Sequence, residues 1–512
     1  MNFSKLASFI AIISALGCSV LFFVRLYYAV SIFEPLQTST SGAEYESLFV
    51  IWKYINGMKI YADHMKIPFA GTFYNWLYYA FYGELTGGIL AVLDLADSWI
   101  PTITKLITVA GTLVGVVITY LTFRLIASNE AEPSSSWQAL SASLAIFLFM
   151  GPLVGFFGMA AQPDIWAMVF DISAVYVFIR FYALRPLVAV TSFCLLAYIA
   201  WSFKQIFVFS PGAIGLYLLL RRDFKWLSVL TVMMCTFWAA SLWIGDPQYI
   251  KTMIKFGGTK VTLLPEQLIR NLTNAGVKLF PVILGLVGII SIVILAKPWK
   301  LVRRPEQTQQ TYLGPKNVLL LALMGIAISG LIAIPASAKQ GAAENYYFVF
   351  TFYACLAILS GYRLLSMESK SKRIFLILVT IGWSLNFLAV GSVLVGINGV
   401  VSTRYAHSKI SSRALCLRKL NLPQPAFVAH PYISLPWMYP ADQHFVLQTS
   451  YYWDRTAGIK MEGGGLGGLI DKGYFASLAL VVNKHGQFDD SDLSRYQKVP
   501  SNCNLSVFLR KK

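Results

Sequence analysis

Two carboxylates open an aromatic-rich stretch of the chain, residues 41 to 82, and they are the first candidates for chemistry. Glu44 and Glu46 stand two residues apart, and apolar side chains follow at spacings of three and four: Tyr45, Leu48, Phe49, Trp52 and Ile55. This pattern predicts a helix over residues 44–56 that lies along a membrane surface. Helical phase puts Glu46 on the solvated face and Glu44 at the edge of the apolar stripe, where a half-shielded carboxylate suits a general base. The alternative is a capping box, with Ser41 as the N-cap residue and Glu44 three positions on.

Further polar residues stand at the ends of apolar runs: Asp164, Lys204, Gln205, Lys339, Glu344 and Asn345. Each has an ordinary explanation alone, because an acid at a helix start complements the dipole and a lysine at a helix end can reach the membrane interface. Taken together, the acids and lysines could hold a phosphate and a nucleophile side by side. Tyr74 and Trp76 could stack on a sugar or line a lipid groove, and an interfacial aromatic belt is the alternative.

The elements that position these residues are membrane helices. Of 512 residues, 56% are hydrophobic and 13% are charged, with a mean hydropathy of +0.60, which is too apolar for one soluble core. Apolar runs long enough to cross ~30 Å of hydrocarbon predict an all-α polytopic protein with about eleven transmembrane helices. These are residues 7–30, 103–127, 138–158, 165–184, 187–203, 206–220, 226–245, 277–296, 317–334, 346–365 and 374–400. The first run is expected to be a retained anchor and not a signal peptide, because it is long and contains Arg25.

The net charge of +18 follows the membrane topology. Arginine and lysine collect in alternate loops, near residues 180–185, 221–225, 297–316 and 363–373, as the positive-inside rule requires if the N-terminus is cytoplasmic. Nucleic acid is therefore not expected as a partner. The candidate site residues then all fall at the outer ends of helices or in outer loops. Outer loop 246–276 keeps a basic surplus that topology does not require.

The predicted domains are a transmembrane domain, residues 1–400, with its first outer loop at 31–102, and a small extracytoplasmic α+β domain, residues 401–512. Prolines and the glycine run at 463–468 divide the second domain into short segments. Cys416 and Cys503 both fall in it, and whether they pair stays open, whereas the other four cysteines lie in membrane segments. The five histidines are scattered, so no metal ligand set is predicted. Whether a divalent metal takes part stays open.

Several motifs of the chain resemble those of the GT-C glycosyltransferases. Glu44, then Ile60-Tyr61-Ala62-Asp63, Pro68-Phe69 and the Tyr74 to Tyr79 run are similar to the first outer loop of that superfamily. The most similar branches are the bacterial ones related to protein O-mannosyltransferases and aminoarabinose transferases. The Gln162-Pro163-Asp164 corner, the Phe203-Lys204-Gln205 turn and the segment from Lys339 to Tyr347 extend the resemblance, which spans residues 5–400.

The resemblance implies a multi-pass enzyme of the bacterial inner membrane that transfers a sugar from a polyprenyl-phosphate carrier to an acceptor on the outer face. The acceptor would be a glycolipid, a polysaccharide or a protein. An acid of the first loop serves as base or positions the acceptor in that family, and Glu44 is the matching position. Many relatives carry Asp-Glu where this chain has Ala43-Glu44, so the role could shift to Glu46.

The chemistry assigns the remaining residues to the donor and the sugar. Breaking a sugar–phosphate bond requires a base for the acceptor hydroxyl and cations for the departing phosphate. Lys204, Gln205 and Lys339 are expected to bind the donor phosphate, and Asp164, Tyr74, Trp76, Glu344 and Asn345 the substrate. A single first-loop base predicts inversion at C1. The competing function is a carrier or flippase for lipid-linked glycans, although the internal repeats typical of transporters are not apparent.

Overall fold

The computed structural model describes residues 3–31, 44–69, 71–127, 135–258, 263–295, 312–339, 342–364, 370–408, 410–430, 432–446, 461–481 and 493–511. Ser41, the proposed N-cap residue, lies outside the described residues.

The described chain is a bundle of helices with one small sheet near its C-terminal end. The helices of the first half are α1 (Phe3–Ser31), α2 (Glu44–Ile55), α3 (Trp76–Val92), α4 (Ile100–Ala127), α5 (Ser135–Met150), α6 (Asp164–Phe181), α7 (Pro186–Phe203) and α8 (Phe209–Leu220). Those of the second half are α9 (Phe224–Ile244), α10 (Pro247–Gly258), α11 (Pro265–Lys278), α12 (Phe280–Leu295), α13 (Pro315–Ser337), α14 (Phe348–Leu364), α15 (Lys370–Ser408), α16 (Ile410–Leu420) and α17 (Gly465–Asp471).

Each apolar run predicted to cross the membrane overlaps a helix, which confirms an α-helical integral membrane protein, although the run at 138–158 is α-helical only as far as Met150, the end of α5. Within the described residues, seven helices are long and apolar enough to cross, or eight if α11 and α12, which meet at 84°, form one broken span. Helices α5 and α8 are shorter, at 16 and 12 residues. Helix α6 carries the charges of Asp164, Asp171 and Arg180. The total of about eleven spans stays a prediction.

Helix α2 confirms the predicted helix at the start of the first loop but not its predicted position. Its first eight residues, from Glu44 to Ile51, are all buried. Leu48 and Ile51 pack into the core of the bundle, whereas Tyr45 and Phe49 pack into a core formed by the C-terminal residues. The expectation of a solvated Glu46 was therefore wrong, since that side chain is 5% exposed. Protein covers α2 on both faces, where a membrane surface was expected to cover one.

The C-terminal residues form the predicted α+β arrangement. Strand β1 (Ala426–Val428) pairs in parallel with β2 (Ser477–Val481), which pairs antiparallel with β4 (Leu505–Arg510), and β4 pairs antiparallel with β3 (Tyr496–Val499). The sheet order is β1-β2-β4-β3. The glycine run makes the turn into α17, because Gly463, Gly464 and Gly465 all have positive φ angles, which side chains with a Cβ rarely adopt. The domain boundary at residue 400 stays a prediction, since α15 runs through it.

A disulfide joins Cys416 of α16 to Cys503, which lies before β4. Of the two alternatives for these cysteines, the paired one is therefore correct. The bond closes a loop of 87 residues and ties the helix that follows the last membrane span to the sheet. An oxidising compartment is where such a bond persists.

We expect a Cys416→Ser/Cys503→Ser variant to destabilise the C-terminal domain by about 2–4 kcal/mol, because the open chain gains conformational entropy when it unfolds. Hydrogen exchange of the backbone amides of β2 and β4 measures this loss. Cys235→Ser is the matched control, since Cys235 is a free, exposed cysteine in α9. Equal stability of the double variant and the wild type would contradict the prediction.

Candidate active site

Glu44 is buried at the start of α2 beside a lysine that the sequence analysis did not single out. Its Oε1 accepts a hydrogen bond from the backbone N–H of Ala161 at 3.1 Å and lies 3.3 Å from Nζ of Lys105. Both side chains of this ion pair are almost fully buried, at 3% and 2% exposure. The half-shielded carboxylate expected from helical phase is thus wholly enclosed and held by a cation and an amide.

The loop that binds Glu44 is itself held by hydroxyl groups. Tyr78 of α3 donates to the carbonyl of Ala161 at 2.7 Å, Thr108 of α4 donates to that of Ala160 at 2.9 Å, and Thr112 donates to that of Gly158 at 2.8 Å. These bonds satisfy buried backbone oxygens that lie outside regular helices and so lack helical hydrogen bonds. They fix the Ala161 amide against Glu44 and set the entry of the chain into α6.

Asp164 begins α6 three residues after Ala161 and forms the second acid–lysine pair. Its Oδ1 accepts from Nζ of Lys204 at 2.6 Å and from Nδ2 of Asn345 at 2.9 Å. Lys204 follows the end of α7, and its ammonium lies 5.7 Å from the ring centre of Tyr74 and 5.9 Å from that of Tyr346. The sequence predicted Asp164, Lys204 and Asn345 separately as site residues, and the fold brings all three together.

Three buried side-chain oxygens around this pair have no hydrogen-bond partner among the described residues: Asp164 Oδ2, Asn345 Oδ1 and Gln205 Oε1. Buried polar atoms are normally satisfied by protein or water, because an unpaired one is costly. A group of acceptors left open at one site is the arrangement that ligand hydroxyl groups can complete. These oxygens are open to donors from water or from a ligand.

The first loop contributes to the same site through Tyr74 and Glu46. Burial raises the pKa of Tyr74 well above its usual value, and the negative charges of Asp164 and Glu46 add to this effect. Gln205 donates from Nε2 to the carbonyl of Phe73 at 2.9 Å, which ties the end of α7 to the loop. Tyr74 and Gln205, both predicted as site residues, thus lie beside Lys204, and their roles in binding stay predictions.

Three predicted site residues lie apart from this cluster. Trp76 begins α3 with its side chain 40% exposed. Glu344 pairs with Lys278 of α11, whose Nζ lies 2.7 Å from its Oε1. Lys339 follows α13 and pairs through its backbone with Leu263, and no hydrogen bond or ion pair among the described residues joins its ammonium to Asp164 or Asn345. The parts of Trp76, Glu344 and Lys339 in substrate binding stay predictions.

The C-terminal domain covers the first loop and reaches Glu44. The ring centres of Tyr432 and Tyr45 are 5.8 Å apart, and burial together with the negative charge of Glu44 raises the pKa of Tyr432 well above its usual value. Farther along, Glu462 clamps the loop with two hydrogen bonds: its N–H donates to the Met65 carbonyl at 2.9 Å, and its Oε2 accepts from the Ile67 N–H at 3.0 Å. The domain therefore forms one wall of the candidate site.

The described residues contain no group of three or more histidine, cysteine, aspartate and glutamate side chains that could hold a metal ion. The polar groups of the site are instead two acid–lysine pairs, amides and tyrosines.

Of the residues that the sequence analysis did not select, Lys105 is the most telling. It stands in the second turn of α4, inside the run predicted to cross the membrane at 103–127. An ionisable residue inside a membrane span is a functional candidate by default. That rule applied to the sequence would have found Lys105, although its partner Glu44, 61 positions earlier, becomes visible only in the fold.

Comparison of the sequence with protein-family models and with curated proteins finds no match. Among solved structures, two crystal structures of ArnT from Cupriavidus metallidurans are similar to the chain. The one bound to undecaprenyl phosphate has a TM-score of 0.53 and 12% identity, and the likeness covers 96% of this chain and 97% of ArnT. The apo structure has a TM-score of 0.52 and 12% identity, covering 96% and 98%. The resemblance to GT-C proteins is thus confirmed at the level of the fold, and the chain has the fold of ArnT.

Proposed function

We propose that this protein is an integral membrane glycosyltransferase that moves a sugar from a polyprenyl-phosphate donor to an envelope acceptor. The observation that carries the proposal is that two buried carboxylates each pair with a lysine. Glu44 pairs with Lys105 and Asp164 with Lys204, and the segment from Ala161 to Asp164 contacts or contains both carboxylates. Buried charges are costly, and ionisable residues inside a membrane protein are functional candidates by default. The ArnT structure with undecaprenyl phosphate supports a lipid phosphate as the donor's carrier.

In the proposed reaction Glu44 acts as the general base. It takes the proton of the acceptor hydroxyl as that oxygen forms a bond to C1 of the sugar. The bond between C1 and the phosphate oxygen breaks, and its electron pair leaves with the phosphate. The charge that develops on the phosphate lies beside Lys204, whose ammonium has three N–H donors and, within the described residues, donates one hydrogen bond, to Asp164. Hydroxyl groups of the sugar donate to the orphaned oxygens of Asp164, Asn345 and Gln205.

One base and one displacement give inversion at C1. In this scheme Asp164 binds the sugar through Oδ2, while its Oδ1 accepts from Lys204 and Asn345, and Glu44 takes the proton of the acceptor hydroxyl. Glu46, buried on the same helix, is the alternative base.

We place the reaction on the outer face of the bacterial inner membrane, with the C-terminal domain outside the cytoplasm. The alternation of basic loops and the disulfide between Cys416 and Cys503 support this orientation. The acceptor would be a glycolipid, a polysaccharide or a protein.

The test is transfer of radiolabelled sugar from polyprenyl phosphate to envelope material of cells that lack the protein. We expect label in an acceptor and an anomeric configuration opposite to that of the donor. Label that stays on the lipid would contradict the enzyme function, and retained configuration would contradict the single displacement.

A further inference from the structure

The ammonium group of Lys105 is unusual among the described lysines. It is buried in α4 with Glu44 as its ionic partner, at 3.3 Å, and its Nζ makes no hydrogen bond to the part of the chain that the structure describes. The side chains of Lys204 and Lys278, in contrast, each donate a hydrogen bond to a carboxylate, at 2.6 and 2.7 Å. Lys105 thus acts on Glu44 through its charge more than through a directed bond.

A buried charge without a partner is costly enough that the group normally becomes neutral. Glu44 is shut off from water by the bundle on one side and by the C-terminal domain on the other. A base must be unprotonated when the acceptor hydroxyl arrives. The ammonium of Lys105 lies 3.3 Å from this carboxylate.

Neutral and acidic groups of the described chain also lie near Glu44. Ala161 offers one amide dipole from the loop before α6, and Tyr78 of α3 is engaged by the carbonyl of that residue. Tyr432 of the C-terminal domain is a phenol whose pKa burial raises, and Glu46 on α2 is a second acid. Lys204, from the end of α7, is bound to Asp164.

We infer that Lys105 is a positioning residue that keeps Glu44 ionised and aimed while the site is closed to water. This inference rests on the proposed function, because it assigns Lys105 a role only if Glu44 is the base. It predicts a measurable coupling between the two side chains that a packing role for Lys105 would not produce.

The test combines the pH dependence of transfer with a direct reading of protonation. In the pH profile of kcat/KM, the acidic limb is the range in which activity falls as the pH is lowered. In Lys105→Met this limb is expected to move upward by about 1–3 pH units, with activity partly recovered at alkaline pH. The reason is that a carboxylate that loses a nearby cation holds its proton more tightly. Lys105→Arg keeps the charge and is expected to keep the limb near its wild-type position. Infrared spectra of isotope-labelled protein should show a protonated carboxyl band in Lys105→Met that Glu44→Gln removes.

The controls separate charge from folding. Lys59→Met breaks an exposed pair, Lys59 with Asp246 at 2.8 Å, and should leave the limb in place. The double variant Lys105→Met/Glu44→Gln removes both charges and should regain the thermal stability that Lys105→Met loses. An unmoved limb and an ionised Glu44 in Lys105→Met would overturn the inference, as would a double variant no more stable than Lys105→Met. If the wild type transfers no sugar, the proposed function fails, and the infrared and stability results still decide whether Lys105 controls Glu44.

Discussion

Replacement of Glu44 by glutamine is expected to lower the rate of sugar transfer by about 10²–10⁴-fold, the range that general-base catalysis supplies. Glutamine has nearly the shape of glutamate and can still accept the hydrogen bond from the Ala161 amide. It cannot take a proton from the acceptor hydroxyl. The measurement is the transfer rate in membranes at saturating donor, with the amount of folded protein checked by thermal unfolding.

Glu46→Gln is the matched control, since it changes the same chemical group two residues along the same buried helix. We expect a much smaller loss from it. A Glu44→Gln enzyme that works at nearly the wild-type rate would remove Glu44 as the base. If Glu46→Gln instead causes the large loss, the role belongs to the alternative acid.

Replacement of Lys204 by methionine is expected to weaken binding of the lipid-phosphate donor by about 10–100-fold, the equivalent of one charge-assisted hydrogen bond. Lys204 lies at the centre of the second pair, close to Asp164, Asn345 and the ring of Tyr74. Titration calorimetry of purified protein with a polyprenyl phosphate measures this change in affinity without catalysis.

The single change also leaves Asp164 buried without its cation, which is expected to cost about 3–5 kcal/mol of stability. The double variant Asp164→Asn/Lys204→Met removes this penalty and should fold more stably while still binding donor weakly. Lys339→Met, tested in parallel, shows whether the second predicted lysine contributes. Unchanged donor affinity in Lys204→Met would reject Lys204 as the phosphate ligand.

The membrane helices could be predicted from the sequence because apolar runs and loop charges are local signals. Each predicted span overlaps a helix, and the residues expected on one side include Asp164, Lys204 and Asn345, which do meet. Helix α3 was missed, since its tyrosines and glycines resemble a loop, whereas the fold buries Tyr78, Tyr79 and Tyr82 as packing side chains.

The exposure of Glu46 and the partner of Glu44 could not be predicted in the same way. Helical phase describes α2 as if one face met water, and the C-terminal domain, more than 350 residues later, covers that face. Lys105 and Ala161 reach Glu44 across 61 and 117 positions, respectively. Such contacts depend on how distant segments pack, and a single sequence holds no local signal for them.

The reaction itself is tested most directly in vesicles that contain the purified protein, a polyprenyl-phosphate sugar labelled in both parts, and an acceptor extract from the cell envelope. The proposed enzyme cleaves the donor, so polyprenyl phosphate is expected to appear in step with labelled acceptor, and Glu44→Gln should abolish both. Movement of intact donor across the bilayer, with no polyprenyl phosphate released, would show a carrier and contradict the proposed function.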